Sequence, residues 1–193
     1  MGNVNSALQY MPPSSRRFLL RERTSDRHAA VDAAVGSFRT LVHYKAYLQG
    51  LHAFRRPLDD QMLSCRFPVE FGTWRPQAIS PLIVADMNDL ALAPKKPADP
   101  ISLTADLESL LGTLYVLEGS TLGARVLYRR ANELGLSGTH GARHLQGQAA
   151  SDGFSRFLQI LDAAPDVDMN KVIGASDLAF QWAETAFKDN VNE

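Results

Sequence analysis

Tyr115-Val116-Leu117-Glu118-Gly119-Ser120-Thr121-Leu122-Gly123-Ala124-Arg125 sets two glycines four residues apart inside a segment that otherwise reads as one long helix. Residues at i and i+4 share a helix face. A glycine inside a helix costs roughly 1 kcal/mol relative to alanine. A pair on one face therefore implies that something approaches the backbone closely there. A flat ligand meets that requirement, and so does a second helix, because small residues at this spacing let helices pack closely. His28, far upstream, bears on the choice, since its spacing puts it on the apolar face of another helix.

Outward from this stretch, apolar residues recur at helical spacing almost throughout, and strand signals are weak. The fold class is all-α, a single-domain multi-helix bundle of roughly seven helices around one core. A first helix, capped by Ser14 or Ser15, is expected to run to about Val35 and stop at Gly36. Leu20, Thr24, His28, Val31 and Val35 then lie along one stripe. A second pattern starts near Thr40 and is kinked or restarted by Pro57. Arg66 to Gln77 reads as loop, and Ser80-Pro81 opens a further helix. After the proline-rich connector Ala93 to Pro100, a long helix is expected from Ser102 or Thr104 to Leu134, ended by Gly135. Ser137 to Gln148 reads as loop-like, and two last helices as about Ser151–Leu161 and Asp168–Phe187. In domain terms, 1–13 is a flexible N-terminal tail and 14–193 one helical domain.

Composition narrows the function. The 193 residues carry a formal net charge of -1, against the basic surplus of a nucleic-acid-binding protein. The single cysteine, Cys65, excludes an internal disulfide framework or a cysteine-rich metal cluster, and a reducing, cytoplasmic setting is the simplest reading. No apolar run approaches the ~20 residues of a membrane span, and Met1 to Met11 lacks the pattern of a secretion signal.

A lone histidine on an apolar helix face is usually a core residue, yet neutral imidazole is also a ligand for haem iron. With the glycine pair, a second geometry opens. One helix supplies a ligand from one side, and the other, thinned at Gly119 and Gly123, lies across the opposite face of a macrocycle, kept shallow by Ala124.

Three blocks carry a resemblance. Leu20-Arg21-Glu22-x-Thr24-x-x-x-His28 resembles the proximal-helix signature of the haem oxygenases. Tyr115 to Ala124 resembles the distal-helix signature of their bacterial, biliverdin-producing type found beside bacteriophytochromes. More loosely, Gly141-Ala142-Arg143 through Gly147, then Phe154 to Leu161, resembles the segment that follows. The resemblance implies a haem-oxygenase-like bundle that takes haem as substrate and cofactor. It opens the ring with O2 and electrons from a reductase or ferredoxin, giving biliverdin, CO and ferrous iron. His28 would be the metal ligand, with Arg21, Thr24, Gly119, Gly123 and Ala124 completing the haem contacts and Gly119, Ser120 and Gly123 forming the catalytic distal face. Arg21 would meet a propionate. The implied partners are an electron-donor protein and a bacteriophytochrome as biliverdin acceptor, with no nucleic acid and no membrane.

Two positions depart from the pattern. Ser120 stands where mammalian enzymes place an aspartate that organises water, and Ala124 where the family often has glycine. A non-catalytic haem carrier or sensor on the same fold is the alternative, and a helical protein without haem a third. Lys171 and Lys188 read as surface charges. His43, His52, His140 and His144 form no metal spacing and read as structural or surface residues. Glu118 is expected to face outward or pair with a basic neighbour, Cys65 to be an ordinary buried thiol, and Trp74 and Trp182 to be packing residues.

Overall fold

The computed structural model describes residues 13–36, 39–95 and 102–188. The expected N-terminal tail, apart from Pro13, and the connector from Lys96 onward lie outside them. The described residues form nine α-helices: α1 Pro13–Arg23, α2 Ser25–Val35, α3 Leu41–Ser64, α4 Ser80–Asp89, α5 Leu107–Gly119, α6 Thr121–Glu133, α7 Arg143–Ala149, α8 Gly153–Ala163 and α9 Met169–Lys188. A 3-10 turn spans Val69–Phe71. No strand is present among them, only isolated bridges from Ser137.

Helix α9 is the axis of the bundle and packs along α5, α3 and α2. Its buried face carries Val172, Ser176, Ala179, Ala183 and Ala186, and small residues there let neighbours approach. The tightest approach is at Gly112 of α5. A Cβ on Gly112 would collide with the Val172 carbonyl oxygen and lie 2.6 Å from Ala175 Cβ. Ser176 Oγ donates to the carbonyls of Gly112 (3.0 Å) and Val172 (2.9 Å), tying the two helices where they cross. Leu110, Leu111 and Leu114 of α5 are fully buried, each contributing about 2 kcal/mol of transfer free energy.

Two expected helices are each broken in two. The first bends at Thr24 (φ -108°, ψ 9°). The Thr24 amide and its Oγ1 both donate to the Leu20 carbonyl, at 2.9 and 2.7 Å. A hydroxyl bonding back to the preceding turn bends a helix axis. The long helix breaks at Ser120 by the same chemistry, where Ser120 Oγ donates to the Leu117 carbonyl and Thr121 Oγ1 to that of Glu118, both at 2.6 Å. Glycine beside serine is a common site of such kinks.

The remaining boundaries differ in smaller ways. Pro57 does not restart a helix, since α3 runs through it. The cost of an interior proline, ~3 kcal/mol, is offset by burial of Leu51, Phe54, Leu58 and Met62 around it. Helix α5 starts at Leu107, where the Asp106 carboxylate accepts from the Ser109 amide at 2.9 Å. Gly135 (φ +83°) follows the end of α6, as its position predicts. The segment read as loop between Ser137 and Gln148 contains the short helix α7.

Candidate functional site

His28 sits one turn beyond the Thr24 bend. The expected apolar stripe is split by that bend. Leu20 and Thr24 are buried, Val31 and Val35 half-buried, and His28 is exposed. Its side chain is 64% accessible, and Nδ1 lies 3.1 Å from Asp32 Oδ2, one turn on. The ring meets Phe180 of α9 edge-on, with centroids 6.0 Å apart. His28 is therefore not the buried, carbonyl-bonded histidine that its apolar surroundings in the sequence allowed. Ala29 and Ala33 are exposed beside it, and α2 as a whole buries no residue fully. An imidazole with one nitrogen held by a carboxylate keeps the other for a metal.

The glycine pair faces open space. A Cβ on Gly123 would meet nothing within 4 Å, and one on Gly119 only Phe154 Cε2 at 3.8 Å. Among the described residues nothing packs on Gly123, Gly119 meets only the Phe154 ring of α8, and the close-packing role belongs to Gly112. Leu122 (63% exposed) and Val126 (52% exposed) share the glycines' side of α6. Together the four form an apolar strip open to solvent. The other side of α6 packs on α7 through Ala124 and Ala131, both buried. Ala124, expected among the haem contacts, is buried against the core in this structure.

The two open faces start from one contact. Thr24 and Tyr115 share a side-chain hydrogen bond. One turn on from Thr24 lies His28, and one turn on from Tyr115 lies Gly119. Thr24, also expected among the haem contacts, is 2% exposed, and its hydroxyl is committed to Leu20 and Tyr115, joining the two helices. Burial pushes the Tyr115 phenol up, while the Thr24 bond and the charges of Arg17 and Arg21 pull it down. Both arginines are exposed near this junction, and the Arg17 guanidinium lies 5.6 Å from the Phe154 ring centroid. The sequence reading named Arg21 but missed Arg17, although the i, i+4 spacing of the two was visible. Exposed Lys188 is ion-paired with Glu184.

Behind the Ser120 break the structure is polar. Glu118, expected to face outward or pair with a basic neighbour, is 6% exposed, and its carboxylate fills the space over Gly153 that a Cβ would occupy. Burial pushes its pKa above the ordinary carboxyl value, and nearby Arg55 lowers it in part. Arg55 is itself committed to Asp59, with Nε and Nη2 at 3.2 and 2.9 Å from Oδ1. Asp59 Oδ2 accepts from the Ile79 and Ser80 amides and from Ser80 Oγ. A cavity of about 10 Å³ lies among Arg55, Gln77, Glu118, Thr121, Gln148 and Ser151. Gln148 Nε2 donates to Ser120 Oγ at 3.3 Å.

His144, read from the sequence as structural or surface, is wholly buried. Its Nδ1 lies 2.7 Å from Asp86 Oδ2 and its Nε2 3.2 Å from the Tyr47 hydroxyl. Burial holds the imidazole neutral, below its usual range. Burial opposes ionisation of Asp86, but bonds from His144 and Arg143 bring it below the usual carboxyl range. Nδ1–H then donates to Asp86, and Nε2 accepts from Tyr47. Arg143 spans Asp86 and Asp89. The network pins α7 to α4 and lies apart from the open faces.

A flat, apolar macrocycle with an iron centre and anionic edges matches the open strip, the lone imidazole and the two arginines. Among the described residues no cluster of three His, Cys, Asp or Glu side chains gathers to hold a metal without such a ring. No protein-family model matches the chain. It is 31% identical over 192 residues to the haem oxygenase PigA of Pseudomonas aeruginosa, covering 91% of each protein. Its fold is similar to that of the NO- and CO-bound haem oxygenase of Neisseria meningitidis, with a TM-score of 0.70, 24% identity and 91% of each chain covered.

Proposed function

This chain belongs to the haem oxygenase family, and from its geometry we propose how the residues hold and open the macrocycle. The protein is a haem-degrading oxygenase. His28 binds iron through Nε2, while Asp32 orients the ring from Nδ1. Gly119, Ser120 and Gly123 form the opposite wall, covered at its margin by Leu122 and Val126. Arg21, with Arg17 one turn before it, meets the propionates with charge-assisted hydrogen bonds.

Bound haem supplies the iron that carries O2, and with electrons from a reductase or ferredoxin the ring opens at a meso carbon to biliverdin, CO and ferrous iron. The chain contributes shape and restraint. The bare backbone at Gly119 and Gly123 lets the wall lie close to the macrocycle. The Ser120 and Thr121 hydroxyls are turned back to carbonyls of their own helix. Among its described residues the wall therefore presents no strong acid of the kind that cleaves oxygen in a peroxidase, and what it would supply to a bound macrocycle is shape and steric restraint. We place the reaction in the cytoplasm, served by an electron-donor protein, with a bacteriophytochrome as acceptor of the biliverdin. No helix among the described residues is long and apolar enough to cross a membrane.

The observation that carries this assignment of residues is the open strip, with nothing within 4 Å of a Cβ on Gly123. The test is a haemin titration followed by reductant-driven turnover in air with chromatography of the product. One-to-one binding with a histidine-ligated spectrum, then conversion to a red-absorbing bilin, is expected. A Soret band that persists under reductant and air would point to a carrier or sensor instead.

A further inference from the structure

Tyr47 is buried on α3, its ring stacked on Phe187 of α9 with centroids 6.0 Å apart and planes 5° from parallel. Its hydroxyl lies 3.2 Å from His144 Nε2, and His144 Nδ1 lies 2.7 Å from Asp86 Oδ2. A phenol that loses one electron becomes a strong acid, so it is readily oxidised only where a base takes its proton at once. Here the base is in place. His144 Nε2 carries the lone pair, and Asp86 balances the imidazolium that forms. Arg55 opposes a cation on His144, but its charge is paired with Asp59 at 2.9 Å, whereas Asp86 bonds the ring directly. Tyr44 is the contrast. It is fully buried too, but its hydroxyl donates to the Gly141 carbonyl at 2.6 Å, and a carbonyl does not keep a proton. Aromatic side chains lead from Tyr47 toward His28. The His28 ring meets Phe180, and about 10 Å of α9 separates Phe180 from Phe187. Trp182 stands between them in the chain, packed on Phe54 of α3, buried, and with no hydrogen-bond partner for Nε1 among the described residues. An oxidised indole there has no base to take its proton and passes the charge on.

We propose that Tyr47 is an oxidisable tyrosine that takes up stray oxidising equivalents from the haem side, with His144 as its proton acceptor. The proposal rests on the haem-degrading reading for the source of the oxidant, a peroxide-derived one-electron oxidant. That oxidant gains one electron from Tyr47. The Tyr47 O–H bond breaks, an N–H bond forms at His144 Nε2, and a neutral tyrosyl radical remains. One electron from the reductase or ferredoxin, with the proton held on His144, restores the phenol. No side chain is permanently modified in the cycle.

Two measurements test it. In haem-free protein carrying isotope-labelled histidine, nuclear magnetic resonance should show His144 as the Nδ1–H tautomer. An Nε2–H tautomer leaves no lone pair for the Tyr47 proton and would overturn the proposal, whether or not haemin binds. Haemin-loaded protein in deuterium oxide is then mixed with a single equivalent of hydrogen peroxide and frozen. Electron paramagnetic resonance should show a tyrosyl radical coupled to an exchangeable deuteron. Tyr47→Phe should keep the haemin spectrum and lose that radical, while Tyr44→Phe should keep both. Absence of a tyrosyl radical in the wild type, a radical without the deuteron coupling, or one that survives Tyr47→Phe would overturn the proposal. The first two outcomes need no variant to fold. Failure of the wild type to bind haemin would instead strike the reading beneath it.

Discussion

Gly112 lies against the carbonyl of Val172 so closely that a Cβ would occupy the oxygen's space, whereas Gly123, further along the same pair of helices, has nothing within 4 Å of that position. The first glycine packs helices and the second leaves room for a ligand. Gly112→Ala should therefore cost about 1–3 kcal/mol, measured by urea unfolding. Gly123→Leu should leave stability unchanged or raise it by up to about 1 kcal/mol, yet weaken haemin binding by about tenfold or more. Equal losses of stability in the two variants would refute the contrast.

His28 and Asp32 form one unit across a turn of α2. His28→Ala should keep the helical circular dichroism and abolish the histidine-ligated haemin spectrum and turnover. Asp32→Ala should retain ligation but lower haemin affinity by about tenfold. Unchanged turnover in His28→Ala would remove it as the iron ligand.

Arg17 and Arg21 are exposed at the Thr24–Tyr115 junction. Arg21→Ala should lower haemin affinity by about tenfold and make the remaining binding less sensitive to salt. Haemin dimethyl ester, whose propionate charges are blocked, should bind wild type and variant alike. A variant that still prefers free haemin as strongly as wild type would place the propionates elsewhere.

The His144–Asp86 pair sets an acid limit on stability. His144 is held neutral, below its ordinary 6.5, so between that pH and its lower folded value the unfolded chain binds a proton that the folded chain refuses. Stability should fall as pH drops below about 6.5. It should fall further below the ordinary 3.8 of Asp86, which the fold keeps ionised. Glu118 acts with the opposite sign. Its raised value means that its contribution is complete below the ordinary 4.5 and is lost as pH rises through its folded value. Urea midpoints from pH 2.5 to 8 check this. His144→Phe should cost roughly 3 kcal/mol by stripping Asp86 of a buried partner and should flatten the loss near pH 6.

The helical spacing was legible in the sequence because period 3.6 is a local property. The last two helices and the stop at Gly135 fall close to where apolar spacing puts them. The bends were not legible. Thr24 has ordinary neighbours, and even at Ser120, beside Gly119, whether the hydroxyl bonds back to its own helix depends on what packs outside it. Glu118 and Thr24 show the same limit. A carboxylate before a glycine reads as surface, and a threonine on a ligand helix reads as a contact, until Gly153 and Tyr115 are brought against them.

The sequence by itself determined the all-helical class and the residues that carry the resemblance, because periodicity and short motifs are written in adjacent positions. Only the tertiary structure decided which glycine packs and which stays bare, that Ala124 belongs to the core, and that His144 is a buried clamp. Those outcomes depend on atoms far apart in the chain. Gly112 and Val172, or His144 and Asp86, become neighbours only when the helices dock, and docking settles whether a small or polar residue meets protein, water or ligand.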